Sequence, residues 1–336
     1  MIRRAAAAAP VRLDFAGGWT DVPPFSAREG GVVVNAAIGL FVRAELRPEG
    51  TGFHLVADDL GQRLDLGDAA GLAADGRLDL HKAALRMASV EPPITLTTRA
   101  DAPMGSGLGG SGALDVALVA AVSAATAPER APVRSPHDIA EAAWRLEAVD
   151  VGVPGGRQDQ WVAALGGFNL MRFRDPDITA GRLTLDSAFA DELARRTVLC
   201  YTGASRLSGD TIARVMGAYE RGEAQVVRAL HGLCEVAERM AAALCAADLA
   251  SVGALLSDNW RLQQALDARM STPTMARLEA ALRETGALGG KAAGSGAGGC
   301  MFFVTGDDVA AARDAALGCG ATLLPVRWEA TGVRAC

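Results

Sequence analysis

The chain has 336 residues, half of them hydrophobic and 21% charged, with a formal net charge of −6. That length exceeds what one hydrophobic core usually organises, so two domains or a two-lobed unit is expected. The acidic balance argues against a basic nucleic-acid-binding surface, and no run approaches the roughly 18 apolar residues of a membrane span. Six cysteines without a C-x-x-C pair or metal-finger spacing suit a reduced cytoplasm. Arg12 and Asp14 interrupt the apolar start before a signal-peptide core could form. The expected partner is a small molecule, with no nucleic acid and no membrane; a homodimer is left open.

In chain order, the opening third reads as strands and turns. Residues 11–15, 31–38, 41–46, 53–57 and 94–98 are β-rich, with glycine or proline between them. A helix over 112–126 follows and runs into Pro128, Pro132 and Pro136. Ser135 and Pro136 supply the N-cap and first turn of a helix to about residue 149, with Ile139, Ala142, Ala143 and Leu146 on its buried face and Glu147 flanking it. The pattern restarts with a strand at 197–201, helices over 210–221, 223–246, 249–269 and 278–285, a strand at 300–304, a helix over 309–317 and a strand at 322–326. The class is α+β in two lobes, 1–185 and 186–336, joined within residues 176–190.

Residues 103–113, PMGSGLGGSGA, follow a strand and open a long apolar helix. Glycines reach backbone angles closed to other residues, so successive N–H groups can turn onto a phosphate while the helix adds its positive end. Gly105, Gly107 and Gly110 also satisfy the G-x-G-x-x-G spacing of a dinucleotide-binding unit. That unit needs a further strand, and the proline-rich stretch after the helix leaves no place for one. A P-loop fails too, because both lysines, Lys82 and Lys291, precede alanine.

Three further features carry chemistry. In APVRLDFAGGWTD (residues 9–21), Arg12 lies inside an apolar strand and predicts a carboxylate partner, since a buried guanidinium must be paired. Within residues 147–168, a Pro-Gly-Gly turn delivers Arg157, Gln158, Asp159 and Gln160; Asp159 is either the partner of Arg12 or a helix N-cap. In residues 289–304, GGKAAGSGAGGCMFFV, the glycines form a tight turn or let backbone approach a ligand or another loop.

Together these segments resemble the GHMP kinase family along nearly the whole chain. PMGSGLGGSGA is similar to the family's phosphate loop, APVRLDFAGGWTD to its N-terminal motif and KAAGSGAGGC to its C-terminal glycine motif. GGRQDQWVAALGGFN and YTGASRLS look most like its sugar and sugar-phosphate 1-kinases, D-glycero-D-manno-heptose 7-phosphate kinases among them, and GGWTDVPP is similar to fucokinases. The resemblance implies an N-terminal lobe like domain 2 of ribosomal protein S5, a ferredoxin-like C-terminal lobe and an active site in the cleft between them. It implies an ATP- and Mg²⁺-dependent enzyme that phosphorylates the anomeric hydroxyl of a sugar, foremost D-glycero-D-manno-heptose 7-phosphate. The alternatives are a free-sugar 1-kinase such as a fucokinase, a mevalonate or homoserine type of kinase, and a non-catalytic sugar sensor.

The same resemblance implies residue roles. Pro103, Gly105, Ser106, Gly107, Leu108, Gly109, Gly110 and Ser111 would hold ATP, with Ser111 and Glu147 completing the metal site. Asp159 would be the catalytic group with Arg12 beside it, either orienting the attacking hydroxyl or taking its proton. Gly18, Trp19, Thr20, Asp21, Gly156, Gln158, Arg206 and Gly296 would contact the acceptor. Trp19 either stacks on a sugar face or fills the gap behind Gly17 and Gly18. A 7-phosphate would need a cation from among Arg28, Lys82, Arg172 and Arg206. The chain departs from the family's pattern at Gly110 and Gly112, where serine and alanine are common, and in GSGAGG, where GAGGGG is usual.

Overall fold

The alanine run at the start is part of a strand. In the computed structural model, which describes residues 2–128, 134–175, 177–203 and 209–336, β1 spans Ala5–Ala16 and is buried on both faces from Ala9 onward. After the short helix α1 (Phe25–Arg28) comes β2 (Gly31–Arg47), a single strand where the sequence predicts two. Its pairing with β1 shifts register at Pro10/Val11, where proline removes a ladder donor. Then follow β3 (Phe53–Ala57), β4 (Gln62–Leu66), α2 (Asp79–Met87), β5 (Ile94–Ala100), α3 (Gly110–Thr126), α4 (Pro136–Arg145), α5 (Gln158–Leu165), β6 (Phe168–Arg174) and β7 (Asp177–Leu183). The first half of β2 pairs with β6 and the second half with β5, so this strand carries the sheet. Among the described residues α3 leads to α4 with no intervening strand, which removes the dinucleotide-binding reading.

The second part contains α6 (Ser187–Arg196), β8 (Thr197–Tyr201), α7 (Gly209–Glu220), α8 (Ala224–Cys245), α9 (Leu249–Gln264), α10 (Pro273–Glu284), β9 (Gly289–Ala292), β10 (Cys300–Val304), α11 (Val309–Gly318) and β11 (Thr322–Leu324). Its antiparallel sheet has the order β11-β8-β10-β9. Strand β10 is buried throughout: Cys300, Phe302 and Val304 join the first core, while Met301 and Phe303 join the second. The two-residue period of a strand thus places one core on each side of β10.

The chain end does not stay with residues 186–336. A last short strand, β12 (Arg334–Ala335), pairs with β1 through Ala7↔Ala335 and Ala8↔Arg334. Trp328 packs on Phe168 and Phe15 of the first core, at ring-centroid distances of 4.8 and 5.8 Å. The expected division therefore needs one correction, since the terminal segment is part of the first sheet. Periodicity could not disclose this, because two residues carry no period.

Candidate active site

Arg12 sits where β1 is fully covered, at 5% exposure, and its guanidinium is satisfied on every side. Nε and Nη2 donate to Asp159 Oδ1 and Oδ2 at 2.8 and 3.1 Å, and Nη1 donates to the carbonyls of Gly107 and Ala293 at 2.6 and 2.8 Å. The partner expected for a buried arginine is therefore Asp159. Asp159 is not an N-cap; it is the second residue of α5, behind Arg157. One guanidinium thus links a strand, the phosphate-like loop, the C-terminal glycine segment and α5.

The loop itself alternates left-handed glycines, with φ of 67° at Gly105, 74° at Gly107 and 74° at Gly109. Gly109 occupies the N-cap of α3 and has no side chain with which to cap it, so the helix opens with its first N–H groups available to an anion. Ser106 is buried: its N–H donates to Pro103 O at 3.1 Å, and its carbonyl accepts the Cys300 N–H at 2.7 Å. Leu108 O accepts the Arg12 N–H at 2.9 Å. From the other side, a Cβ on Gly294 would lie 2.4 Å from Gly107 O, and one on Gly299 would lie 2.7 Å from Ser106 O. The C-terminal glycines are needed because backbone packs directly on backbone here.

The departures within the loop have different reasons. A Cβ at Gly110 would meet nothing within 4 Å, whereas one at Gly112 would lie 2.6 Å from Asp159 Cβ. Glycine at 112 lets α5 approach α3 closely enough for Asp159 to reach Arg12.

Helix α4 starts at the expected N-cap, Ser135, which forms a capping box with Asp138, but its last turn widens into a π-turn over Leu146–Val151. Such insertions re-aim side chains at functional sites, and here the turn carries Glu147. Glu147 Oε1 accepts a short hydrogen bond from Ser111 Oγ, and Oε2 accepts one from Gln160 Nε2 at 2.7 Å. Burial pushes the Glu147 carboxyl up, while the Ser111 hydrogen bond holds it back. Behind it lies Asp115, fully buried, with its carboxyl driven well up by burial and then by the Glu147 charge. Sequence reasoning missed Asp115, although it is the only charged residue in the α3 sequence.

The segment expected to contact the acceptor is more buried than anticipated. Thr20 Oγ1 donates to Gly17 O at 2.7 Å and accepts from Val32 N at 3.0 Å, so this hydroxyl braces the turn. A Cβ on Gly18 would lie 2.1 Å from Asp14 Oδ2. Trp19, at 5% exposure and with φ of 82°, belongs to the second core with Val22 and Phe25. This is the gap-filling alternative, and it leaves little indole surface for a sugar face.

Asp21 is also buried. Its Oδ2 accepts the Gln158 N–H at 3.1 Å and its Oδ1 the Gln158 Nε2 at 3.3 Å, placing the carboxylate at the positive end of α5. A Cβ on Gly156 would overlap it, at 1.9 Å from Oδ2. Burial pushes the Asp21 carboxyl up to about 6, against the Gln158 N–H and with added repulsion from Asp159 and Asp14. A carboxyl raised on folding holds its proton more tightly in the folded state. Its contribution to stability is therefore present below the ordinary value near 3.8 and is lost as pH rises to about 6. Asp21→Asn is expected to raise the melting temperature relative to the wild type at about pH 7.5, and by much less at about pH 4.5. Calorimetry across that range checks this, and a pH-independent difference would contradict it.

Elements of the second part lock these motifs together. Asn259 Oδ1 accepts the Gly17 N–H at 2.9 Å and Gln263 Nε2 donates to Gly294 O at 2.8 Å, both from α9. Lys291, fully buried, donates to Asp14 O at 2.6 Å and Oδ2 at 3.1 Å. Gly296 faces Met270 and Gln263. Neither Asn259 nor Gln263 stood out in the sequence, and Asp14 did so only as a break in the apolar start.

Of the four candidate cations, Arg28 pairs with Glu220, Lys82 with Asp75 and Arg172 with Glu238, all within the chain. Arg206 lies outside the described residues. No helix among the described residues is long and apolar enough to cross a membrane.

A glycine loop at an uncapped helix start, a buried arginine paired with Asp159 beside it and a glutamate on the loop serine form the arrangement expected of a protein that binds phosphate. Comparison with known proteins agrees: the models for the GHMP kinases N terminal domain and the GHMP kinases C terminal match residues 78–167 and 240–319. The chain is 32% identical over 302 residues to D-glycero-alpha-D-manno-heptose 7-phosphate kinase of Campylobacter jejuni, covering 88% of this chain and 87% of that one. It therefore belongs to the GHMP kinase family, whose members are ATP-dependent phosphotransferases. It is also 28% identical over 331 residues to the bifunctional fucokinase/GDP-fucose pyrophosphorylase of Arabidopsis thaliana, covering 91% of this chain and 30% of that protein. Among solved structures, a D-glycero-D-manno-heptose 1-phosphate kinase from Bacteroides thetaiotaomicron superposes with a TM-score of 0.78 at 25% identity, covering 99% and 98% of the two chains.

Proposed function

We propose that this protein transfers the γ-phosphate of ATP to the anomeric hydroxyl of a sugar phosphate, with D-glycero-D-manno-heptose 7-phosphate as the acceptor. The observation that carries the reading is the 32% identity over 302 residues to the Campylobacter jejuni heptose 7-phosphate kinase. The Arg12–Asp159 pair at the mouth of the glycine loop supports the chemistry.

Phosphoryl transfer asks a protein mainly for alignment and charge compensation. The 103–111 loop and the start of α3 would hold the phosphates through backbone N–H groups. Asp159, hydrogen-bonded to Arg12 and 29% exposed at its side chain, would orient the attacking hydroxyl or take its proton. Asp21 and Gln158 shape the acceptor side, with Gly156 leaving room for the Asp21 carboxylate. Ser111 and Glu147 would hold Mg²⁺, which when bound offsets phosphate charge; Mg²⁺ commonly uses one or two carboxylates plus substrate phosphates. Six free cysteines fit a cytoplasmic setting.

A second reading, a free-sugar 1-kinase of the fucokinase type, is favoured by GGWTDVPP and by the internal pairing of Arg28, Lys82 and Arg172. An ADP-release assay over heptose 7-phosphate, free heptose, fucose and galactose separates the two. Turnover on heptose 7-phosphate well above that on the free sugars is expected, and activity on fucose with none on heptose 7-phosphate would reject the first reading.

A further inference from the structure

Asp115 takes no part in the chemistry above, yet it is completely buried in a helix whose other positions are uncharged. An apolar residue there would avoid the cost of desolvating a carboxyl. Its Oδ2 lies 3.5 Å from Gln160 Nε2, the same nitrogen that donates to Glu147 Oε2 at 2.7 Å. The Asp115 carboxyl also meets that of Glu147 directly, and its Oδ1 is buried without a partner. Glu147 is thus held from three directions, by Ser111, Gln160 and Asp115.

Among the described residues no three His, Cys, Asp or Glu side chains are arranged to hold a metal alone. Asp115 stands behind Glu147 and is not itself a ligand. We infer that Asp115 is a positioning residue for a divalent cation at Ser111 and Glu147: through Gln160 and direct contact it fixes the Glu147 carboxylate and so sets cation affinity. This rests on the metal site proposed above. Groups that orient ligating carboxylates typically contribute about 10- to 100-fold to metal affinity.

Mn²⁺ binding to the protein saturated with a non-hydrolysable ATP analogue, followed by electron paramagnetic resonance, tests this alongside thermal melts. Asp115→Val is expected to weaken Mn²⁺ binding by about 10- to 100-fold with only a modest fall in melting temperature, because it removes a desolvated carboxyl while leaving one Gln160 N–H without its acceptor. Asp115→Asn, which keeps hydrogen bonds to both neighbours, restores most of the affinity. Gln160→Leu reproduces the loss, and combining it with Asp115→Val adds less than the sum of the two. Wild-type Mn²⁺ affinity in Asp115→Val overturns the inference, as does Asp115→Asn binding no better than the valine variant. If the valine variant does not fold, wild-type affinity in Gln160→Leu overturns it equally. Glu147→Gln serves as the reference: if it too binds Mn²⁺ like the wild type, the metal site itself is wrong, a result distinct from failure of Asp115 alone.

Discussion

Asp159→Asn is expected to lower kcat by about 10²- to 10⁴-fold, the range for a positioned acid–base group, while ATP affinity is retained. Asparagine keeps an oxygen for Arg12 Nε and preserves the size of the side chain, so the guanidinium stays partnered and still holds Gly107 O and Ala293 O. The glycine loop then keeps its path, and only the negative charge of the proposed catalytic group is lost. Asp159→Ala would be a poorer test. It strands a buried arginine at an expected cost of about 3–5 kcal/mol, and lost activity could then reflect a displaced loop. Calorimetric ATP binding, a thermal melt and turnover with excess sugar phosphate check the prediction together. Near-normal turnover in the asparagine variant would remove Asp159 from the mechanism.

Lys291→Met is expected to cause the largest loss of stability, about 3–5 kcal/mol, or a fall in melting temperature of roughly 4–7 °C. Lys291 is fully buried and Asp14 is 3% exposed at its side chain, so removing the ammonium leaves a carboxylate that water cannot reach. Asp14 Oδ1 already lacks a partner, and the backbone carbonyl of Asp14 loses its donor as well. Adding Asp14→Asn removes the stranded charge and should recover a substantial part of the loss. If Lys291→Met melts like the wild type, the ion pair does not hold β9 to β1. If the second substitution gives no recovery, the loss comes from packing of the lysine stem.

Part of this site is written in local sequence. Glycines at 105, 107 and 109 before an apolar helix specify the loop, because positive φ and an uncapped helix start are short-range properties. Ser135 and Pro136 locate the start of α4 for the same reason. Arg12 within an apolar strand demands a carboxylate, and Asp159 supplies it across 147 positions. Elements without a period of their own were invisible: β7 is mostly exposed, β9 reads as Gly-Gly-Lys-Ala, and β12 is two residues long.

What the sequence determined by itself is the family, the loop, and the demand that Arg12 be paired, since each follows from residue type and neighbours along the chain. The tertiary structure alone decided that Trp19 fills a core, that Asp21 is held by Gln158, that Asp115 stands behind Glu147, and that the chain end closes on β1. Burial and pairing between distant segments depend on which surfaces meet, and that is settled only when the two sheets and α9 pack together.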